Sequence, residues 1–166
     1  MRSFGAAVVL GLVLTAPGFA APAGFNQDPL LVIRFETFTI AGQRIETQMV
    51  VHTSGATEIV DVAAGAAVPV TSRGVASRET FAELQQALAA ARVASVRGGC
   101  GEPIPDGPVE YHVTWYGKGG TRFNTFHVGA NPEGCPPRIA RMVRAINDLL
   151  LDIYTSPGTQ VFPTET

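Results

Sequence analysis

Charge is scarce in this sequence of 166 residues: Asp, Glu, Lys and Arg make up 16% of it, 12 basic against 14 acidic, for a formal net charge of −2. A chain so nearly neutral lacks the positive field that holds nucleic acid through counterion release. No apolar run reaches the roughly 18 residues that a membrane-spanning helix requires. The motifs of several common chemistries are also missing. There is no G-x-S-x-G nucleophile elbow, no H-E-x-x-H zinc motif, no G-x-x-x-x-G-K phosphate loop and no G-x-G-x-x-G ahead of a helix. No catalytic residue and no cofactor is therefore implied. Lysine occurs only at Lys118, and cysteine only at Cys100 and Cys135. Apolar residues are plentiful at 46%, which removes a wholly disordered chain, because their burial offsets the entropy of ordering.

The N-terminus has the pattern of a secretory signal peptide. Arg2 precedes the uncharged apolar stretch from Phe4 to Leu14, and small residues and Pro follow. Gly18 and Ala20 suit cleavage after Ala20, and Ala21 and Ala23 suit a cut after Ala23. Removing residues 1–20 leaves 146 of the 166 residues and, with Arg2 gone, a charge one unit more negative than −2. The reading is a periplasmic or secreted protein with no transmembrane segment once the signal is cleaved. In that compartment an even number of cysteines is normally oxidised, so Cys100 and Cys135 are expected to form a disulfide. The alternatives, a redox pair or two metal ligands, lack a CxxC or a second close-spaced ligand pair.

Periodicity places the elements. Leu31, Ile33 and Phe35 alternate with Val32, Arg34 and Glu36, and Ile45, Thr47, Met49 and Val51 alternate with polar neighbours beyond a turn at 41–43. A third strand is expected over 57–62, with a short edge strand at 68–71 that Pro69 keeps from a central place. Ser77 caps a helix carrying Phe81, Leu84, Leu88 and Ala91 on one side. Residues 97–108 hold four Gly and three Pro and read as a loop. Val109, Tyr111, Val113 and Trp115 then mark a strand whose partner is 121–128. If the turn pairs Tyr116 with Thr121, Glu110 falls opposite His127, Tyr111 opposite Phe126 and Thr114 opposite Phe123. After Pro136 and Pro137, the residues Ile139, Met142, Val143, Ile146, Leu149, Leu150 and Ile153 hold a helical stripe for four turns.

The order is strand, strand, strand, helix, strand, strand, helix. It predicts an α+β fold, an antiparallel sheet of about five strands with both helices on one face. A single domain over 28–155 is expected, with a flexible tail over 156–166.

Two candidate sites follow. Glu110, His112 and His127 share the outer face of the second hairpin, where a carboxylate and two imidazoles are the residue types for a metal or for acid-base work. Phe38, Tyr116 and Phe123 are aromatics on the outer face or edge of the sheet and would suit a partner surface.

Together, Ile33-Arg34-Phe35-Glu36, the FxxLxxxLxxA helix from Phe81 to Ala91, the Tyr111-His112-Val113-Thr114 strand with its Gly turn, and the closing Pro-led helix resemble emfourin-like proteins over roughly residues 30–153. That family contains small inhibitors of thermolysin-type metalloproteases. The signal peptide, the cysteine pair and the Pro/Gly-rich insert depart from it. The resemblance implies a non-catalytic domain that binds another exported protein, such as a protease. The other readings are a metal-binding or hydrolytic protein using Glu110, His112 and His127, and a passive envelope component.

Overall fold

A computed structural model describes residues 28–38, 42–66, 69–105, 107–117 and 122–156, with the backbone of 160–163. The segment read above as a signal peptide lies outside the described residues. Strands β1 (Pro29–Phe38), β2 (Arg44–His52), β3 (Ala56–Ala63) and β4 (Val70–Val75) precede helix α1 (Arg78–Ala91). Strands β5 (Glu110–Tyr116) and β6 (Arg122–Gly129), helix α2 (Pro137–Thr155) and a short β7 (Gln160–Pro163) follow. The fold is α+β, with one antiparallel sheet in the order β6-β5-β1-β2-β3-β4-β7.

Three expectations need correction. β4 is a full strand that pairs with β3 along Ala56–Asp61, and it is not an edge, because β7 lies on its other side. The tail expected to be flexible therefore contributes a strand, with Gln160 to Pro163 opposite Arg73 to Val70. Strand count rises above five for these two reasons. The third correction is the β5–β6 register: His112, not Glu110, stands opposite His127, Tyr111 stands opposite Val128, and Thr114 stands opposite Thr125. An offset of two residues leaves every side chain on the same face, so alternation cannot detect it. The offset is absorbed by an irregularity between Trp115, opposite Asn124, and Tyr116, opposite Arg122.

The inward phase of the strands buries Leu31, Ile33, Met49, Val51, Ile59, Tyr111, Val113 and Val128 against the helices. α2 contributes the whole predicted stripe, including Met142, Ile146 and Leu149, and each such side chain stabilises the fold by about 1.5–3 kcal/mol. α1 buries Leu84, Ala87, Leu88 and Ala91, and the Ser77 hydroxyl caps it by accepting from Thr80 N at 3.2 Å. α1 ends at Arg92, which takes the left-handed conformation at φ 51°, where Gly is usual. The helices are also joined on their outer side. Arg141 donates to both carboxylate oxygens of Glu83, at 2.7 and 2.9 Å, which lowers the Glu83 pKa and raises that of Arg141.

Cys100 and Cys135 form the expected disulfide. It ties the loop after α1 to the start of α2, and the loop runs along the open side of β6. Gly99 N donates to His127 O at 3.1 Å, Gly129 N donates to Cys100 O at 2.8 Å, and Glu102 and Asn131 exchange two bonds of 2.8 Å. Glycine is required here: a Cβ on Gly98 would fall 2.2 Å from His127 O, and one on Gly129 would fall 2.4 Å from Glu102 N. Further along β6, the Asn124 amide donates to Val93 O and Val96 O at 2.8 and 2.9 Å, fastening the turn beyond α1.

Candidate functional site

The outer sheet face holds Glu110, His112 and His127 together, but not in the expected pairing. His112 Nε2 lies 3.2 Å from Glu110 Oε1 along β5, and the two imidazole centroids are 6.3 Å apart across the ladder. Among the described residues no group of three His, Cys, Asp or Glu is arranged to hold a metal ion. The same face carries a depression of about 640 Å³ between β3 and β6. Its polar groups satisfy one another: Arg34 donates to Gln48 at 2.9 Å, and Arg44 bridges Glu36 and Glu46.

Phe38, Tyr116 and Phe123 do not form one patch. Phe38 is 49% exposed at the far end of β1. About 23 Å of strand separates it from Leu31, which pairs with Trp115 beside Tyr116. Phe123 is 58% exposed and packs on Trp115 with ring centroids 5.2 Å apart. The trio is thus a single aromatic at one end of the sheet and a small cluster at the other.

The strongest concave site is elsewhere, on the helical side. The last turns of α2 overhang β1, β2 and β3, leaving a groove of about 520 Å³ walled by Phe35, Ile45, Ile104, Pro108 and Leu150. Leu151 and Tyr154, 63% and 50% exposed, stand at its rim as large apolar side chains off the buried stripe of the helix. Asp61 enters from β3. It occupies the inward phase, two residues after buried Ile59 and opposite Thr47 of β2.

The groove has few polar groups and they converge. Thr47 Oγ1 donates to Asp61 Oδ1 at 2.5 Å, and the Tyr154 hydroxyl donates to Oδ2 at 3.3 Å. Burial of its hydroxyl end, followed by the Asp61 charge and this hydrogen bond, pushes the Tyr154 pKa well above the usual phenol value. Tyr154 therefore stays a neutral donor to the Asp61 side chain. Deeper in, the Tyr111 hydroxyl donates to Asn147 Oδ1 at 2.6 Å, and Asn147 Nδ2 donates to Ala130 O at 3.2 Å. A mostly apolar cleft with a small set of placed polar groups has the form of a recognition site.

Sequence reasoning missed Asp61, Leu151 and Tyr154. Two signals point to them: a carboxylate in the buried phase of a strand, and apolar side chains outside the buried stripe of an amphipathic helix. No protein-family model matches the chain, and a search of curated proteins finds no match. Function therefore rests on the site.

Proposed function

We propose that the mature chain is an exported, non-catalytic domain that binds another protein, and that the groove beneath the end of α2 is its contact surface. One observation carries this reading: two large apolar side chains, Leu151 and Tyr154, stand exposed at the rim of an apolar groove that ends in a carboxylate. Exposed apolar surface gathered at a concavity is costly in water and is typical of a binding site. The disulfide suits an oxidising compartment, and no described helix is long and apolar enough to cross a membrane. The metal reading draws less support, because among the described residues no group of three His, Cys, Asp or Glu is arranged to hold a metal ion.

The resemblance to emfourin-like proteins supports a thermolysin-type metalloprotease as the partner. The test is residual activity of such a protease against rising amounts of the purified mature protein. A dose-dependent fall that Leu151→Arg weakens is the expected result. Unchanged turnover at micromolar excess counts against a protease partner. Absence of any adduct from a photo-crosslinking residue at position 151 in the producing cells counts against partner binding altogether and favours a passive envelope component.

A further inference from the structure

Arg92 closes α1 at φ 51°, a backbone conformation that penalises any side chain and that glycine adopts freely. Its guanidinium forms no ion pair or hydrogen bond with a described residue, so nothing within the described fold offsets that penalty. Strain kept without an internal return is characteristic of functional positions. Arg92 is exposed and lines a cleft of about 290 Å³ at the end of α1. Leu30, Leu88, Val93 and the half-buried Trp115 form most of the wall, and no carboxylate lines it.

Two more arginines flank the cleft. The Asn124 amide donates to Val93 O and Val96 O, which brings Arg97, the next residue, up to β6. Arg122, two residues before Asn124, stands opposite Tyr116. Both are exposed, and neither has an ion pair among the described residues. Asp28, two residues before Leu30, pairs with none of the three. The exposed Phe123, packed on Trp115, extends the apolar surface beside them. In a chain whose formal charge is −2, three uncompensated guanidinium groups thus surround one apolar cleft.

We infer that this corner binds an acidic segment of a partner polypeptide, with one apolar side chain in the cleft beside Trp115 and flanking carboxylates on Arg92, Arg97 and Arg122. The planar guanidinium fork matches a carboxylate. A cleft of this size is at the bottom of the range for ligand sites and suits a single protruding side chain. A flat bilayer offers nothing to fill it. The corner shares no residue with the groove beneath α2 and does not depend on that groove being a contact surface.

The test is a titration of the mature protein, read by the fluorescence of Trp115, its one tryptophan, with capped Glu-Glu-Leu-Glu-Glu and Gln-Gln-Leu-Gln-Gln. The acidic peptide should shift the emission and bind about tenfold more tightly than the neutral one, with a difference that shrinks as salt rises. Alanine in place of its leucine should weaken it about tenfold by emptying the cleft. Arg92→Gly separates binding from folding: it should raise Tm while weakening the acidic peptide about threefold, the size of one exposed ion pair. Equal affinity for the two peptides, indifference to the leucine, or an affinity that Arg92→Gly leaves unchanged overturns the inference. So does the absence of any shift at millimolar peptide; co-sedimentation with phosphatidylglycerol vesicles that Arg92→Gly weakens would then assign the corner to an anionic membrane instead.

Discussion

Replacing Tyr111 by Phe isolates one buried hydroxyl. Tyr111 is 1% exposed, and its ring meets Phe35 edge-on at 5.3 Å, a contact that Phe retains. The substitution deletes the bond to Asn147 and leaves Asn147 Oδ1 without that donor, at a cost of about 1–3 kcal/mol near neutral pH. Burial also pushes the Tyr111 pKa far above the usual phenol value. In the unfolded chain the phenol loses its proton near pH 10, whereas the folded chain keeps it. The native state then binds more protons, so this contribution is intact below about pH 10 and is lost as pH rises beyond it, at about 1.4 kcal/mol per pH unit. Tyr111→Phe has no such loss. The stability gap between wild type and variant should therefore narrow by about 1 kcal/mol between pH 10 and pH 11. Tyr154 is raised for related reasons but is present in both proteins and cancels. Urea unfolding followed by the fluorescence of Trp115, the single tryptophan, measures the gap at each pH. A gap that stays constant up to pH 11, or a variant as stable as wild type at neutral pH, would refute the reasoning.

Two further outcomes concern the backbone. Replacing Cys100 and Cys135 together by Ala opens a link across 35 residues and should cost about 4 kcal/mol from the chain entropy restored to the unfolded state. Urea midpoints of the oxidised wild type and the double variant measure it, and a loss below about 1 kcal/mol would count against that account. Arg92 is the one non-glycine residue at positive φ among those described, so Arg92→Gly should relieve local strain and raise stability by about 1 kcal/mol, read as a rise in Tm. A fall in Tm would show that the Arg92 side chain contributes more than its backbone costs.

Elements with a strong period were legible in the sequence. The α2 stripe from Ile139 to Ile153, the Ser77 cap and the alternation of β1, β2 and β5 each follow from local spacing; the structure buries the whole α2 stripe and most of the inward strand residues, while Val109 stays exposed. β7 was not legible, because its pairing with β4 is fixed across the fold and not by any local alternation. The β5–β6 register was half legible: alternation rules out odd slips but is blind to a slip of two. What fixes the choice is the irregularity at Trp115 and Tyr116, together with the Gly129 contacts to the loop at 100–102. The candidate site was the least legible part. Asp61 and Tyr154 are 93 residues apart, and only the packing of α2 over β3 brings carboxylate and hydroxyl together.

The loop that Cys100 and Cys135 hold against β6 also bears on the chain's life before oxidation. With the bridge open, only hydrogen bonds hold residues 98–102 on β6, and each parting of the loop exposes the backbone groups at His127 and Gly129 that it occupies. A terminal strand with vacant donors and acceptors is a template for a strand from another molecule. The disulfide thus guards one terminal strand of the sheet against pairing with a strand from another molecule.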